Sequence, residues 1–384
     1  MSSNISTTSE KKSSFKPKGN RAQTICLPGT CASLHSSQLL VSSGIPSLDG
    51  ILGGGIPVGS LLLLEEDESN VYAQYFMKCF LAEGVTSGHE VMVASVDSDP
   101  VKLISSLPSP VPNKEDSREE NDESESMKIA WRYQNLNQVT SCDNSRSFGH
   151  HYDLKSTMSA DLLDNCEKFY WDGKEKHPNS NATALPLYRN LFSCLHSLLS
   201  ARKLFTSTPN DKPNIMRIGI FSLASCEWGD DLCHSLGSDS TNPVWSEVTS
   251  FFALLRALAR QSYTVAFVSV PSYLFVDSAL LGRLSYHADY VIGLESFQGT
   301  DKEVNPLFKE YHGLLHINKI SAGNSLVAPF VDTHDWVFRL KRKKLSIEKL
   351  HLPPDLSETV SRSATDPVKN TVSCSGSLPN KLDF

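Results

Sequence analysis

The sequence lacks several features that would place it in a specialised class of protein. None of its apolar runs approaches the ~18 residues needed to cross a bilayer, and its polar beginning has no apolar core of the kind found in signal peptides. The nine cysteines are odd in number and include no C-x-x-C pair. We therefore expect reduced thiols in an intracellular protein, rather than a membrane-spanning or disulfide-rich secreted chain. Cys226, Cys233 and His234 fit no common zinc spacing, so we expect no metal site.

An excess of positive charge is also missing. The chain has 36 Lys and Arg against 43 Asp and Glu, a net charge of −7 that does not indicate nucleic-acid binding. The charge is unevenly distributed, however, because residues 113–126 contribute −5 and residues 65–68 contribute −4. The remainder is slightly basic, and its densest positive run lies at 339–344.

Composition divides the chain into one ordered domain and several polar segments. Residues 1–40 and 355–384 are rich in Ser and Thr, and we predict disordered tails there because so little apolar surface cannot offset the entropy of ordering. Residues 41–354 are predicted to form a single domain. Within it we predict an acidic linker over 105–126 and an irregular polar insertion over 137–182.

The rest of the domain alternates short β-rich runs with helical patterns. Residues 91–96 are continuously apolar, as in strands covered on both faces. Residues 185–205 and 246–261 place apolar side chains at helical spacing. This alternation predicts an α/β fold with a mainly parallel central sheet flanked by helices. The strand-rich segments after residue 290 predict an antiparallel extension on the C-terminal side.

A glycine-rich block at 44–59, followed by a strand and a helix, resembles the beginning of RecA-type ATPases. In those enzymes the strand leads into a Gly-rich loop whose N–H groups, Lys and Thr or Ser bind phosphates and magnesium. This chain has no glycine in the corresponding loop. The corresponding loop instead carries four acidic residues, Glu65, Glu66, Asp67 and Glu68. Val71 stands near the Lys position and Tyr72 near the Thr position. Four carboxylates would repel a polyphosphate, so we predict a degenerate P-loop with no cofactor and no catalytic residue.

The second ATPase element is missing as well. Ser222 and Ser225 stand where a magnesium-binding Asp is expected at the end of the strand 215–223. Asp97 and Asp99 follow the strand 91–96, near the place of a water-activating carboxylate. Without a phosphate site, we predict surface or loop-capping roles for both.

Long blocks outside the loop are similar to the PAXNEB family, which forms the fourth subunit of the Elongator complex. They lie at 287–299, 301–320, 324–329 and 339–358, and the resemblance covers nearly all of 41–104 and 183–358. It implies a RecA-like fold without catalytic function, and loss of the P-loop Lys and Thr is what the family leads us to expect. It also implies a heterohexameric ring with subunits five and six that binds tRNA in the cytoplasm and nucleus. The ring would support tRNA wobble-uridine modification with carboxymethyl-type groups, the chemistry belonging to the catalytic Elongator subcomplex.

The basic run is the candidate RNA contact, and it consists of Arg339, Lys341, Arg342, Lys343 and Lys344. Its alternation with apolar residues predicts paired strands with the charges on one side. Contact with tRNA phosphates and a solvated edge strand are equally weighted readings, and nuclear import is a third. An active RecA/KaiC-like ATPase and a pure assembly scaffold without RNA contact remain alternative functions.

Two further groups of residues have competing readings. Tyr311, His312 and His316 suit base stacking or acid–base chemistry, but structural roles in a strand are the more frequent case. The four loop acids, residues 65–68, suit salt bridges to an arginine of a neighbouring subunit, in the place that a nucleotide would take.

Overall fold

The computed structural model describes most of the region predicted to be ordered. The described residues are 27–33, 36–111, 149–174, 187–210, 212–228, 243–275, 278–324, 335–341 and 344–350. All of them except Leu350 belong to one compact unit. The predicted C-terminal tail, most of the acidic linker and the outer parts of the polar insertion lie outside the described residues.

Fourteen strands are present in the described residues, and nine of them form one sheet. The strands are β1 Thr30–Ala32, β2 Leu39–Val41, β3 Ile56–Pro57, β4 Leu61–Glu65, β5 Glu90–Ala94, β6 Pro108–Pro110, β7 Tyr152–Thr157, β8 Lys168–Trp171, β9 Met216–Ile220, β10 Thr264–Val270, β11 Tyr290–Ser296, β12 Gly313–Lys319, β13 Trp336–Lys341 and β14 Lys344–Lys349. The main sheet has the order β14-β13-β12-β11-β4-β10-β9-β5-β8. Two small sheets, β1-β2-β3 and β6-β7, accompany it.

Eight α-helices lie in the same described residues. They are α1 Pro46–Ile51, α2 Val71–Thr86, α3 Pro100–Ser105, α4 Ala160–Asp164, α5 Leu187–Ala201, α6 Pro243–Arg260, α7 Ser278–His287 and α8 Asp301–Val304. None of the helices in this described part is both long and apolar enough to cross a membrane.

The main sheet separates two apolar cores, and its strands supply side chains to both. Along β4, Leu62 and Leu64 join the core that contains α2, whereas Leu61 and Leu63 join the core that contains α5 and α6. This alternation follows from the two-residue repeat of a strand. The six strands from β11 to β8 pair in parallel, so the predicted helix-covered parallel sheet is confirmed.

The predicted antiparallel extension is also confirmed. Strand β12 pairs antiparallel with β11, and β13 and β14 form an antiparallel hairpin beside it. Within the hairpin Arg339 lies opposite Ser346, and Lys341 lies opposite Lys344. The core face carries Phe338, Leu345 and Ile347, so the charged side chains point away from the core, as the alternation predicts.

Two polar segments are more ordered than the sequence predicts. The insertion predicted as irregular over 137–182 contains β7, α4 and β8, and β8 is an edge strand of the main sheet. Trp171 of β8 is buried and stacks on Trp228, which fixes this short strand through a contact distant in sequence. The tail predicted over 1–40 contains β1 and most of β2, because Val41 is buried where β2 pairs with β3.

A fully buried arginine in β9 joins three parts of the fold. The Nη1 group of Arg217 donates hydrogen bonds to the carbonyl oxygens of Ser42 (2.8 Å) and Phe80 (3.0 Å). Its Nε donates to Nδ1 of His89 at 3.0 Å. Burial and the nearby Arg217 cation lower the pKa of His89 to about 3, so this imidazole is neutral and accepts the bond. Gly84 of α2 leaves the room that the arginine needs, since a Cβ there would lie 2.7 Å from Cδ of Arg217.

We predict that Arg217→Met lowers the free energy of unfolding by about 3 kcal/mol, because it leaves two buried carbonyl groups without a donor. The measurement is urea denaturation followed by circular dichroism. The matched control is Arg189→Met, which removes an exposed arginine paired with Glu247 and should cost less than about 1 kcal/mol. Equal losses in the two variants would contradict a stabilising role for the buried guanidinium.

Candidate functional site

The candidate site lies where three neighbouring parallel strands end, in the middle of the main sheet. Strand β4 leads into residues 66–70 and then into α2, which is the strand–loop–helix order expected from the sequence. Strands β10 and β9 end beside it, and β5 ends next to β9. Ligands of open α/β sheets bind at this carboxyl edge, so the side chains of this loop decide what the protein can bind here.

Glu66 is buried at this edge between two serine hydroxyls. Its Oε1 accepts hydrogen bonds from Ser269 (2.6 Å) at the end of β10 and from Ser222 (2.9 Å) after β9. Its Oε2 is buried and has no hydrogen-bond partner in the described residues. Burial raises the pKa of Glu66 to about 7, although both hydroxyls oppose the shift. The Glu66 side chain therefore bonds to groups of the protein interior and is not exposed to a ligand.

Asp67 occupies the N-terminus of α2, the position at which a P-loop binds phosphate. Its Oδ1 accepts the backbone N–H of Ala73 at 2.9 Å, and its Oδ2 accepts that of Val71 at 3.2 Å and the hydroxyl of Ser69. Asn70 makes the turn into the helix with φ 50° and ψ 22°. Two of the first three helical N–H groups are thus bound by a carboxylate of the chain itself.

The other predicted loop residues have different environments. Glu65 accepts a hydrogen bond from Nδ2 of Asn318 (3.1 Å), and partial burial raises its pKa. Glu68 and Val71 are exposed. Tyr72 is buried, and its ring lies 4.9 Å from that of Phe338 in β13. The residue near the Thr position therefore packs against the antiparallel extension, where it has no access to a nucleotide.

The aspartates after β5 behave as the sequence predicts. Asp99 caps α3 by accepting the N–H of Val101 at 3.0 Å, which confirms the capping role. Asp97 accepts a hydrogen bond from the hydroxyl of Ser225 at 2.6 Å, and burial raises its pKa. Within the described ranges, no group of three or more His, Cys, Asp or Glu residues is arranged to hold a metal ion.

The described cations of the basic run are largely paired with carboxylates. Arg339 lies 2.6 Å from Glu310 and 3.4 Å from Glu348, and only 16% of its side chain is exposed. Lys341 lies 3.0 Å from the same Glu348. Lys344 is exposed. Arg342 and Lys343, the other two residues of the run, lie outside the described residues.

The histidines near β12 have structural partners. Nε2 of His316 lies 3.0 Å from a carboxylate oxygen of Glu295, and Nδ1 of His312 accepts the N–H of Leu340 at 3.3 Å. Burial lowers the pKa of His312. These contacts support the structural reading of both side chains over acid–base chemistry.

Several residues of the site carry no signal in the sequence. Ser269 lies 203 positions from Glu66, and Asn318 lies 253 positions from Glu65. Serine and asparagine are frequent in loops and at strand ends, so only the pairing of the strands reveals these contacts. The pairing of Glu310 and Glu348 with the basic run is likewise not indicated by the sequence pattern.

The fold and the site define an α/β protein with a mainly parallel sheet, in which an aspartate of the chain binds the N-terminus of the helix that follows the central strand. Residues 23–384 match the family described as PAXNEB protein, and the chain belongs to that family. Similar proteins named Elongator complex protein 4 occur in Xenopus laevis (45% identity, 91% of this chain and 88% of the relative), in Danio rerio (41%, 93% and 92%) and in Homo sapiens (38%, 91% and 87%).

We predict that Glu66→Gln stabilises the protein above pH 7 by about 2 kcal/mol and has little effect below pH 4.5. Burial raises the pKa of Glu66 from 4.5 to about 7, so the folded state holds a proton that the unfolded state releases in this range. The wild-type free energy of unfolding therefore falls as the pH rises from 4.5 to 7, and the neutral amide removes that loss. Urea denaturation of both proteins at pH 4.5, 6 and 8 measures the difference in their free energy of unfolding. Glu68→Gln, at an exposed position, is the control, and a pH-independent gain for Glu66→Gln would contradict the prediction.

We predict that Asp67→Ala costs about 2 kcal/mol, because it removes the acceptor of two N–H groups at the start of a buried helix. Thermal and urea unfolding measure the loss. Asp99→Ala is the matched control, since it removes one N–H acceptor at the exposed start of the short α3 and should cost less. A loss for Asp67→Ala no larger than that of the control would show that the loop does not depend on this carboxylate.

Proposed function

We propose that this chain is a non-catalytic subunit of the Elongator complex in the cytoplasm and nucleus. In this proposal it adopts a RecA-like fold and joins subunits five and six in a heterohexameric ring. The ring binds tRNA and supports wobble-uridine modification, and the catalytic subcomplex carries out the chemistry. The names of the relatives support membership of Elongator, and the resemblance of the sequence supports the finer role.

The observation that carries the proposal is the bonding of Asp67 to the N-terminus of α2. A nucleotide phosphate needs those N–H groups and a nearby cation. Here Val71 and Ala73 already donate to Asp67, and the exposed Glu68 adds negative charge beside them. A polyphosphate would have to displace the Asp67 carboxylate and approach that of Glu68, which disfavours the ATPase alternative.

The pure-scaffold alternative is favoured by a different observation. Glu310 and Glu348 pair with Arg339 and Lys341, so the described part of the basic run has little free positive charge. Surface ion pairs of this kind weaken the attraction of an RNA backbone. Contact between this chain and RNA therefore discriminates the proposal from the scaffold alternative.

We predict that this chain is labelled when the native complex, purified through a tag on the full chain, is crosslinked by ultraviolet light to radiolabelled tRNA. The labelled subunits are separated by denaturing electrophoresis. Labelling of this chain supports the proposal, whereas labelling of its neighbours alone supports the scaffold alternative. An unrelated protein complex of similar net charge is the control for nonspecific crosslinking.

The full chain, purified separately from its partners, tests the ATPase alternative. Saturating MgATP should leave the melting temperature unchanged, because a ligand stabilises only a protein that binds it. A RecA-type ATPase measured in parallel should show an increase. A rise in the melting temperature of this chain, removed by Asp97→Asn, would overturn the non-catalytic assignment.

A further inference from the structure

A second charged surface lies at the amino edge of the main sheet, opposite the acidic loop. It consists of Arg256 and Arg260 near the end of α6, Tyr286 at the end of α7 and Lys319 at the end of β12, and we call it the α6–α7 basic surface. The four residues come from three elements. They meet because β11 begins beside β4 and β12 returns antiparallel to the same edge.

Asp289 holds the two arginines at this edge. Its Oδ2 accepts the N–H of Leu61 at 3.0 Å, and its Oδ1 lies 2.8 Å from Nη2 of Arg256 and 2.7 Å from Nη2 of Arg260. The Asp289 side chain is fully buried, whereas those of Arg256 and Arg260 are 36% and 45% exposed. A guanidinium group has five N–H donors, so both arginines keep donors for a second anion.

Lys319 adds a third positive charge beside the arginines. Its Nζ donates to the carbonyl oxygens of Ser285 (2.9 Å), Tyr286 (3.0 Å) and Ala288 (2.7 Å), which fixes the ammonium group at the end of α7. Burial and the neighbouring charge of Arg256 lower the pKa of Lys319, against the opposing effect of Asp289. One buried carboxylate, Asp289, faces three cations here, so the surface keeps a net positive charge.

An aromatic ring stands in this positive field. Tyr286 is 73% exposed, its ring centroid lies 5.9 Å from Nζ of Lys319, and the ring of His287 meets it edge-on at 5.3 Å. An aromatic ring this exposed makes few apolar contacts with the core, and its face is accessible for stacking. Aromatic rings beside cations bind unpaired bases of RNA in a way that tolerates any sequence.

We infer that the α6–α7 basic surface binds an unpaired segment of RNA, with its phosphates on Arg256 and Arg260 and one base on Tyr286. The inference rests on the proposed function, because tRNA is the RNA that the complex would present. This surface is different from the basic run. In the described part of that run, Glu310 and Glu348 pair with two of three cations. In the α6–α7 basic surface, the one carboxylate that pairs with the arginines, Asp289, is buried beneath them.

Two kinds of variant test the surface in the native complex purified through the full chain. The first is Tyr286→Ala, which removes an exposed ring. The second is the triple variant Arg256→Gln, Arg260→Gln and Asp289→Asn, which removes both cations together with the buried acid that they neutralise. Arg189→Gln, at an exposed arginine of α5, is the matched control for loss of a surface cation.

The probe is fluorescent tRNA, titrated at several salt concentrations. Tyr286→Ala should raise the dissociation constant about fivefold or more without changing the salt dependence, because stacking releases no counterions. The triple variant should also weaken binding, and it should reduce the slope of log K against log salt by about 0.7–0.9 for each lost phosphate contact. Arg189→Gln should change neither quantity.

The outcomes separate this inference from the proposed function. Wild-type binding that both variants retain, with the same slope, would overturn the inference and leave the proposed function standing. Absence of binding by the wild-type complex would overturn both. Loss of partner subunits from the variant complexes would identify the surface as a protein interface and overturn RNA binding there. Tyr286→Ala decides the matter if the triple variant does not fold.

Discussion

The structure depends on how the N–H groups at the start of α2 are satisfied. They lie at the carboxyl edge of the parallel sheet, beyond the central strand β4, and they need an anion or another acceptor because the first turn of a helix has none of its own. Asp67 supplies that acceptor from within the chain. A bound phosphate and the Asp67 carboxylate cannot hold the same N–H groups, so the bonds that Asp67 makes here compete with any phosphate at this position.

Glu66, the buried neighbour of Asp67, also binds groups of the chain itself. In a nucleotide-binding site, carboxylates and hydroxyls at strand ends face magnesium and phosphate. Here Ser222 and Ser269 instead donate to Glu66, and Ser269 also accepts the N–H of Ser222 at 2.9 Å. Polar groups at the ends of β4, β9 and β10 therefore bond to one another and join the strands. The Glu66 side chain at the carboxyl edge thereby becomes part of the protein interior.

Local patterns predict the parts of the fold that local interactions determine. The parallel strands, the long helices and the acidic loop follow from apolar periodicity and from the order of glycine block, strand and helix. Strand β8 does not, because four residues gain their stability from Trp171 stacking on Trp228. The pairing of Arg339 with Glu310, 29 positions away, is equally unpredictable. A run of basic residues in the sequence shows where cations are concentrated, but not which acidic residues pair with them in the fold. The site's loop was predictable, and its partners from β9, β10 and β12 were not.

The net charge of −7 hides a division of charge between the two edges of one sheet. The carboxyl edge carries Glu65, Glu68 and Asp97, whereas the amino edge presents two arginines over the buried Asp289. A polyanion is repelled at the first edge and attracted at the second, and low salt strengthens both effects. The acidic loop and the RNA-binding surface that we infer therefore lie at opposite edges of the sheet. The RNA contact that we infer uses the edge at which strands β4 and β11 begin, where the net charge is positive.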